Sequence, residues 1–186
     1  MPKKDLDFIK NIFRDKTDLS GRLSYDHAWD TAQYLRRQAQ KFKEISGRDL
    51  RVIYLAALGH DLLEDTSVRP ERIAKIWGED VLKQIRKLTN RQGDDDFSHY
   101  LAKLKKSSEE TLLIKFADIY SNVRNSAGNR RLDIRWARSF WLPLLRKYQK
   151  QLLTRKFRKY PSTAEAMKRD IEKNIRILQS RIRNKK

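Results

Sequence analysis

VIYLAALGHDLLEDT, residues 52–66, is apolar for eight positions and then turns acidic. A run that is hydrophobic on every side belongs in an interior, so Val52 to Gly59 predicts a buried helix. Asp49 is placed to cap its start, and the pattern predicts that it continues through LLED. His60, Asp61, Glu64 and Asp65 then stand at the end of a buried element. Bare polar and charged groups there would be costly, and a bound cation would remove the cost. On a continuous helix His60 lies over Glu64 and Asp61 over Asp65. His60 and Asp61 can then reach one ion, and Glu64 and Asp65 can hold a water beside it. The alternative is a solvated helix end whose acids cluster by chance.

Outward from this stretch the sequence predicts helix almost everywhere. The 186 residues include only 6 Gly and 4 Pro, and no convincing alternating strand occurs. Ser24 is placed to cap HAWDTAQYLRRQAQKFKEI, and Gly47 to break it. Pro70 falls at a first helical turn ahead of ERIAKIW, and VLKQIRKL follows. Gln92-Gly93-Asp94-Asp95-Asp96 is a polar loop. Ser107-Ser108 precede a helix through TLLIKFADIYSNV, and NSAGN, near 125–129, is a turn-rich joint. Two long basic helices follow, split at Tyr160-Pro161-Ser162. Their apolar faces (Trp136, Phe140, Trp141, Leu144; Ile171, Ile175, Leu178) require a partner. Trp136, Phe140, Trp141, Tyr148 and Phe157 are expected in core or interface, and His99 in a structural role.

Composition excludes several chemistries. Without Cys there are no disulfides, thiolate ligands or Cys nucleophiles. No apolar stretch approaches 18 residues, and the N-terminus lacks a signal-peptide core, so a soluble cytoplasmic protein is expected. No Gly-rich phosphate loop occurs. The net charge of +19 is uneven: residues 123–186 hold 20 Lys/Arg against 4 Asp/Glu, a net of +16. That excess predicts a polyanionic partner or substrate: nucleic acid bound without sequence preference, an acidic protein, or a highly anionic substrate steered toward the pocket; the alternative is charge that only keeps the protein soluble.

Two other segments carry matching chemistry. Lys115, Asp118 and Asn122 share one stripe of a helix at spacings of three and four, and His27 comes from another. Two imidazoles and two carboxylates suit Mn, Fe, Zn or similar ions and leave positions for water and substrate.

The order His27, His60-Asp61, Asp118 resembles the H…HD…D pattern of the HD superfamily of metal-dependent phosphohydrolases. HDLLEDT resembles the HDxxEDT of the RelA/SpoT hydrolase domain and its small hydrolase-only relatives, which cleave the 3′-pyrophosphate from (p)ppGpp. IKFADIYSNVRN is similar to that family's KLADxxxN stretch, and IAKIWGEDVLKQIRKLT to the segment between. The resemblance covers roughly residues 23–124. LSYDHAW departs from the family's PYxxHP, and the synthetase domain of long RelA/SpoT proteins has no counterpart.

The resemblance implies an all-α HD-domain helical bundle; the joint near 125–129 bounds this core at residues 1–125, and the basic helical extension, 126–186, which lies outside the resemblance, is expected to pack on it through its apolar faces. The resemblance implies His27, His60, Asp61 and Asp118 as metal ligands, usually for Mn2+. Glu64 and Asp65 would activate the water. Lys115 and Asn122 would contact the nucleotide, with Lys16 or Arg22 as a further phosphate contact. The implied reaction is removal of the 3′-pyrophosphate from (p)ppGpp. Two other readings stand beside it. One is another nucleotide substrate, including the 2′-phosphate of NADPH. The other is a nucleic-acid-binding protein with a vestigial pocket.

Overall fold

The structure is a computed structural model that describes residues 3–17, 21–90 and 97–184. Among these residues the chain is all-α, as the sequence predicts. No strand forms, and one isolated antiparallel bridge joins Thr17 and Leu23. The helices are α1 (Lys3–Ile12), α2 (Ser24–Phe42), α3 (Gly47–Leu58), α4 (Leu62–Asp65), α5 (Pro70–Trp77), α6 (Glu79–Leu88), α7 (Phe97–Lys105) and α8 (Glu109–Gly128). A helical stretch over residues 134–153 and the long α11 (Pro161–Asn184) complete the chain. The loop expected at Gln92–Asp96 lies outside the described residues. No described helix is long and apolar enough to cross a membrane.

α2, α3 and α8 pack on one another, and α11 lies along α8 and against α2. Ile53 to Leu58 are all buried, as an all-round apolar helix requires. Ser108 caps α8, its side chain accepting from the Thr111 N–H. At the other edge of the core, Asp5 of α1 accepts from the buried Trp77 indole N–H at 3.1 Å.

The helix predicted to run through HDLLED is interrupted. α3 ends at Leu58, Gly59 caps it, and Leu62 N–H bonds the Gly59 carbonyl at 3.0 Å. His60 and Asp61 therefore sit in a tight turn before α4, and His60 does not stack on Glu64 along one helix. A Cβ on Gly59 would lie 2.5 Å from the Trp77 ring, 3.0 Å from Leu62 and 3.1 Å from Ile85. Trp77 presses against bare backbone there, and the turn leaves no room for a side chain. Gly59→Ala is expected to cost roughly 1–3 kcal/mol by overpacking. A denaturant titration checks this; an unchanged midpoint would show that Trp77 yields freely.

Further boundaries differ from the sequence reading: Ser24 and Asp49, expected as caps, both lie inside their first helical turns, after Leu23 and Ser46. α2 stops at Phe42, where Lys43 takes a left-handed conformation (φ 57°) and bonds the Ala39 carbonyl. Gly47 then opens α3 rather than breaking α2. NSAG, expected as a joint, is the last turn of α8. Its exposed carbonyls are satisfied at long range, since the Arg181 guanidinium donates to Ser126 and Ala127 at 3.2 and 2.9 Å.

The stretch over residues 134–153 alternates α-helical segments, α9 (Ile134–Trp136) and α10 (Leu142–Tyr148), with π-helical turns at Ala137–Trp141 and Gln149–Leu153. Each wide turn rotates the buried face. Ala137, Trp141, Leu145, Tyr148 and Leu152 are buried, whereas Phe140, expected on the apolar face, is 54% exposed.

Candidate metal centre

Three elements meet at one point. α2 presents His27, the turn after α3 presents His60 and Asp61, and α8 presents Asp118. The two imidazole Nε2 atoms face each other at 3.2 Å. Asp61 Oδ2 lies 3.1 Å from His60 Nε2 and 3.7 Å from His27 Nε2. Asp118 Oδ1 lies 3.2 Å from His27 Nε2 and 3.4 Å from His60 Nε2. His27, His60 and Asp118 are buried and Asp61 is half-buried.

His27, His60 and Asp61 offer ligand atoms that all lie within 4.8 Å of one another, a group that could hold a metal ion, and Asp118 Oδ1 stands beside both imidazoles. An ion about 2.1 Å from each would set neighbouring donors roughly 3.0–3.4 Å apart, and most of the observed separations fall there. The orienting bonds also match. His60 Nδ1 donates to the Ala57 carbonyl at 2.8 Å, which leaves its Nε2 lone pair aimed inward. Ser121 Oγ sits 3.3 Å from His27 Nδ1. Two imidazole lone pairs this close repel unless a proton or cation lies between them. Without a cation the site draws a proton instead. Burial opposes charge on His60, but Asp61 and Asp118 hold its pKa well above the usual range.

Behind the cage, Asp118 is gripped from both ends. Lys115 Nζ donates to Oδ2 at 2.8 Å, and Asn122 Nδ2 to Oδ1 at 2.7 Å. Burial would raise the Asp118 carboxyl, but Lys115 and the two imidazoles keep it well below the ordinary value. Lys115 is itself half-buried between the rings of Tyr100 and Tyr148, 5.5 and 5.6 Å from their centroids. The structure thus places Lys115 and Asn122 on a cage carboxylate.

Glu64 and Asp65 follow the cage residues by one turn. Glu64 accepts the backbone N–H of Asn90. Desolvation, reinforced by the Asp61 charge, still lifts its pKa to about 7. The Asp65 carboxyl is raised by the same two effects, with His60 and then Lys16 opposing. Lys16 lines a cleft of about 400 Å3 with Thr66, Arg69 and Arg72. Arg22 lies on another side, paired with Asp30 at 2.6 Å and donating to the Asp26 carbonyl at 2.7 Å.

Two cavities adjoin along the C-terminal half of α8. One, of about 600 Å3, is lined by Arg22, Tyr120, Ser121, Arg124, Asn125 and Asn129 among others. The second, of about 540 Å3, shares Asn125 and Asn129, begins at Asn122 and ends on Trp136, Phe140 and Trp141. Both fall in the range of small-molecule sites. Sequence reasoning missed this wall. A signal was present: Asp118, Asn122, Asn125, Ser126 and Asn129 form a polar stripe at helical spacing. Tyr148 had no such signal, because it reaches Lys115 only through the fold.

Residues 24–123 match the HD domain family. An all-α bundle carrying a His–His–Asp–Asp cluster on two helices and one turn is the class that fold and site define. The match spans more than half of the chain, and this protein belongs to the HD domain family. No curated protein matches it. Among solved structures it is similar to a metazoan ortholog of SpoT that hydrolyses ppGpp and plays a role in starvation responses. That likeness has a TM-score of 0.72 at 22% identity and covers 91% of this chain and 92% of the other. It shows a shared fold.

Proposed function

We infer that this protein is a metal-dependent phosphohydrolase acting on a nucleotide, removing the 3′-pyrophosphate of a guanosine polyphosphate. The observation that carries the reading is the cage: four inward-facing donors with an ionisable carboxylate one turn away. His27, His60, Asp61 and Asp118 would hold the ion, Mn2+ by resemblance. A bound divalent ion lowers the pKa of a water toward about 7 and polarises phosphoryl oxygens.

The chain's own groups supply the rest. Glu64, with its raised pKa, takes the proton from the attacking water, and Asp65 orients it. Lys115 and Asn122 fix the Asp118 carboxylate and act on the nucleotide through it. Lys16 and Arg22, on different sides of the cage, offset charge on the phosphates. The cavities along α8, whose walls include Ser121 and Asn122 next to the cage residues, would take the nucleoside, with Trp136 and Phe140 in the wall of the second. The ppGpp hydrolysis of the metazoan relative supports the choice of substrate.

A screen of purified protein with Mn2+ against ppGpp, pppGpp, NADPH and deoxynucleotides tests this. Pyrophosphate release from ppGpp, abolished by chelator, is the expected result. Faster phosphate release from NADPH would move the substrate and keep the class. No turnover of any nucleotide would leave the vestigial-pocket reading.

A further inference from the structure

α11 carries the excess charge that the cage does not use. Its apolar residues Ile171, Ile175, Leu178 and Ile182 are buried. Lys168 is tied to the Arg155 carbonyl and Glu165 at 2.6 and 2.7 Å, and Arg181 to the end of α8. The other four described cations, Arg169, Lys173, Arg176 and Arg183, are exposed, with no hydrogen bond or ion pair among the described residues. Their spacings of four, three and seven place them on one face. At 1.5 Å per residue the row is about 21 Å long.

The acids of α11 leave this row largely unopposed. Glu165 holds Lys168, Asp170 accepts from Tyr34 and Gln38, and half-buried Glu172 stands at the edge. Arg138 donates to the Ile182 carbonyl at 2.8 Å, so the other basic helical stretch meets the C-terminal end of α11.

The surroundings of the row select its partner. A membrane surface requires an apolar face to insert, and that of α11 is already in the core. Single-stranded nucleic acid is held by cations interleaved with aromatic platforms, and the row has none. A protein partner needs apolar anchors at the centre of the contact, and the row offers only Ile177, 46% exposed. A straight, rigid line of cations without stacking groups suits the regular phosphates of a duplex, about six base pairs of which match its length. We propose that the outer face of α11 binds double-stranded nucleic acid without sequence preference, through Arg169, Lys173, Arg176 and Arg183. The proposal is independent of the substrate of the cage.

Anisotropy of a labelled 20-base-pair duplex, titrated with full-length protein at roughly 50 to 200 mM salt, tests it. Four phosphate contacts predict a slope of log K against log salt near −3.6, an affinity loss of about 10²-fold across that range. Changing Arg169, Lys173, Arg176 and Arg183 together to Gln is expected to remove at least about two units of slope. Changing Arg51, Lys75, Lys83 and Lys106 to Gln removes the same charge from other exposed positions and is expected to leave most of the slope. Arg169→Lys, Arg176→Lys and Arg183→Lys together should keep it, which separates charge loss from misfolding. Equal losses in the two Gln variants would overturn the proposal, leaving only net charge. So would tighter binding of a single strand of equal length, equal competition by polyglutamate, or no binding at 50 mM salt.

Discussion

Purified protein is expected to carry about one divalent ion per chain, and His60→Ala or Asp61→Ala to lose it together with all turnover. His60 Nε2 is the hub of the cage, within 3.4 Å of a donor atom on each of His27, Asp61 and Asp118. Orienting partners of metal ligands are typically worth about 10–100-fold in affinity or activity, so loss of a ligand costs more than that. His60→Ala also removes the positive charge that balances two carboxylates when no cation is bound. Asp61→Ala removes a carboxylate that is half-buried and projects from the turn, so its folding cost is smaller. Elemental analysis and turnover, with circular dichroism to confirm helix content, measure both variants. Unchanged metal content in the two would overturn the site.

Glu64→Gln is expected to keep the metal and the substrate while kcat falls by roughly 10²-fold or more. Glutamine preserves size and still accepts the Asn90 N–H, so what is lost is the ability to take a proton. The pH dependence has a defined sign. A general base works only when ionised, and desolvation raises Glu64 to about 7. Activity should therefore rise as pH climbs through an acidic limb, and the charge of a bound ion moves that limb below 7. The limb should vanish in Glu64→Gln. A kcat near wild type would transfer the role to Asp65, whose carboxyl is raised by burial and Asp61 as well.

Both predictions start from residues visible in the sequence, yet their geometry was only partly legible. His60, Asp61, Glu64 and Asp65 were grouped by helical spacing, and the real grouping comes from a turn. Gly59 is an ordinary apolar-run residue on paper. It is where α3 ends, and Trp77, Leu62 and Ile85 leave no room there for a side chain. Lys115 and Asn122 were placed toward the nucleotide by resemblance. Their spacing to Asp118 was legible, but the burial that turns spacing into two bonds on one carboxylate was not.

The sequence by itself determined the all-helical class, the buried character of Ile53 to Leu58, the pairing of His and Asp types for a borderline-hard cation, and the charge excess of the last third. Each follows from composition or local periodicity, properties that survive in any arrangement of the helices. Only the tertiary structure decided where α3 stops, that α8 runs on through Gly128, and that Tyr148 encloses Lys115. It also decided that Phe140 faces outward and that four cations of α11 form an open row. These depend on contacts between residues tens of positions apart: Trp77 on Gly59, Arg181 on the carbonyls of Ser126 and Ala127. Steric exclusion and the satisfaction of buried polar groups act across the folded interior, and local pattern does not record which distant groups will meet.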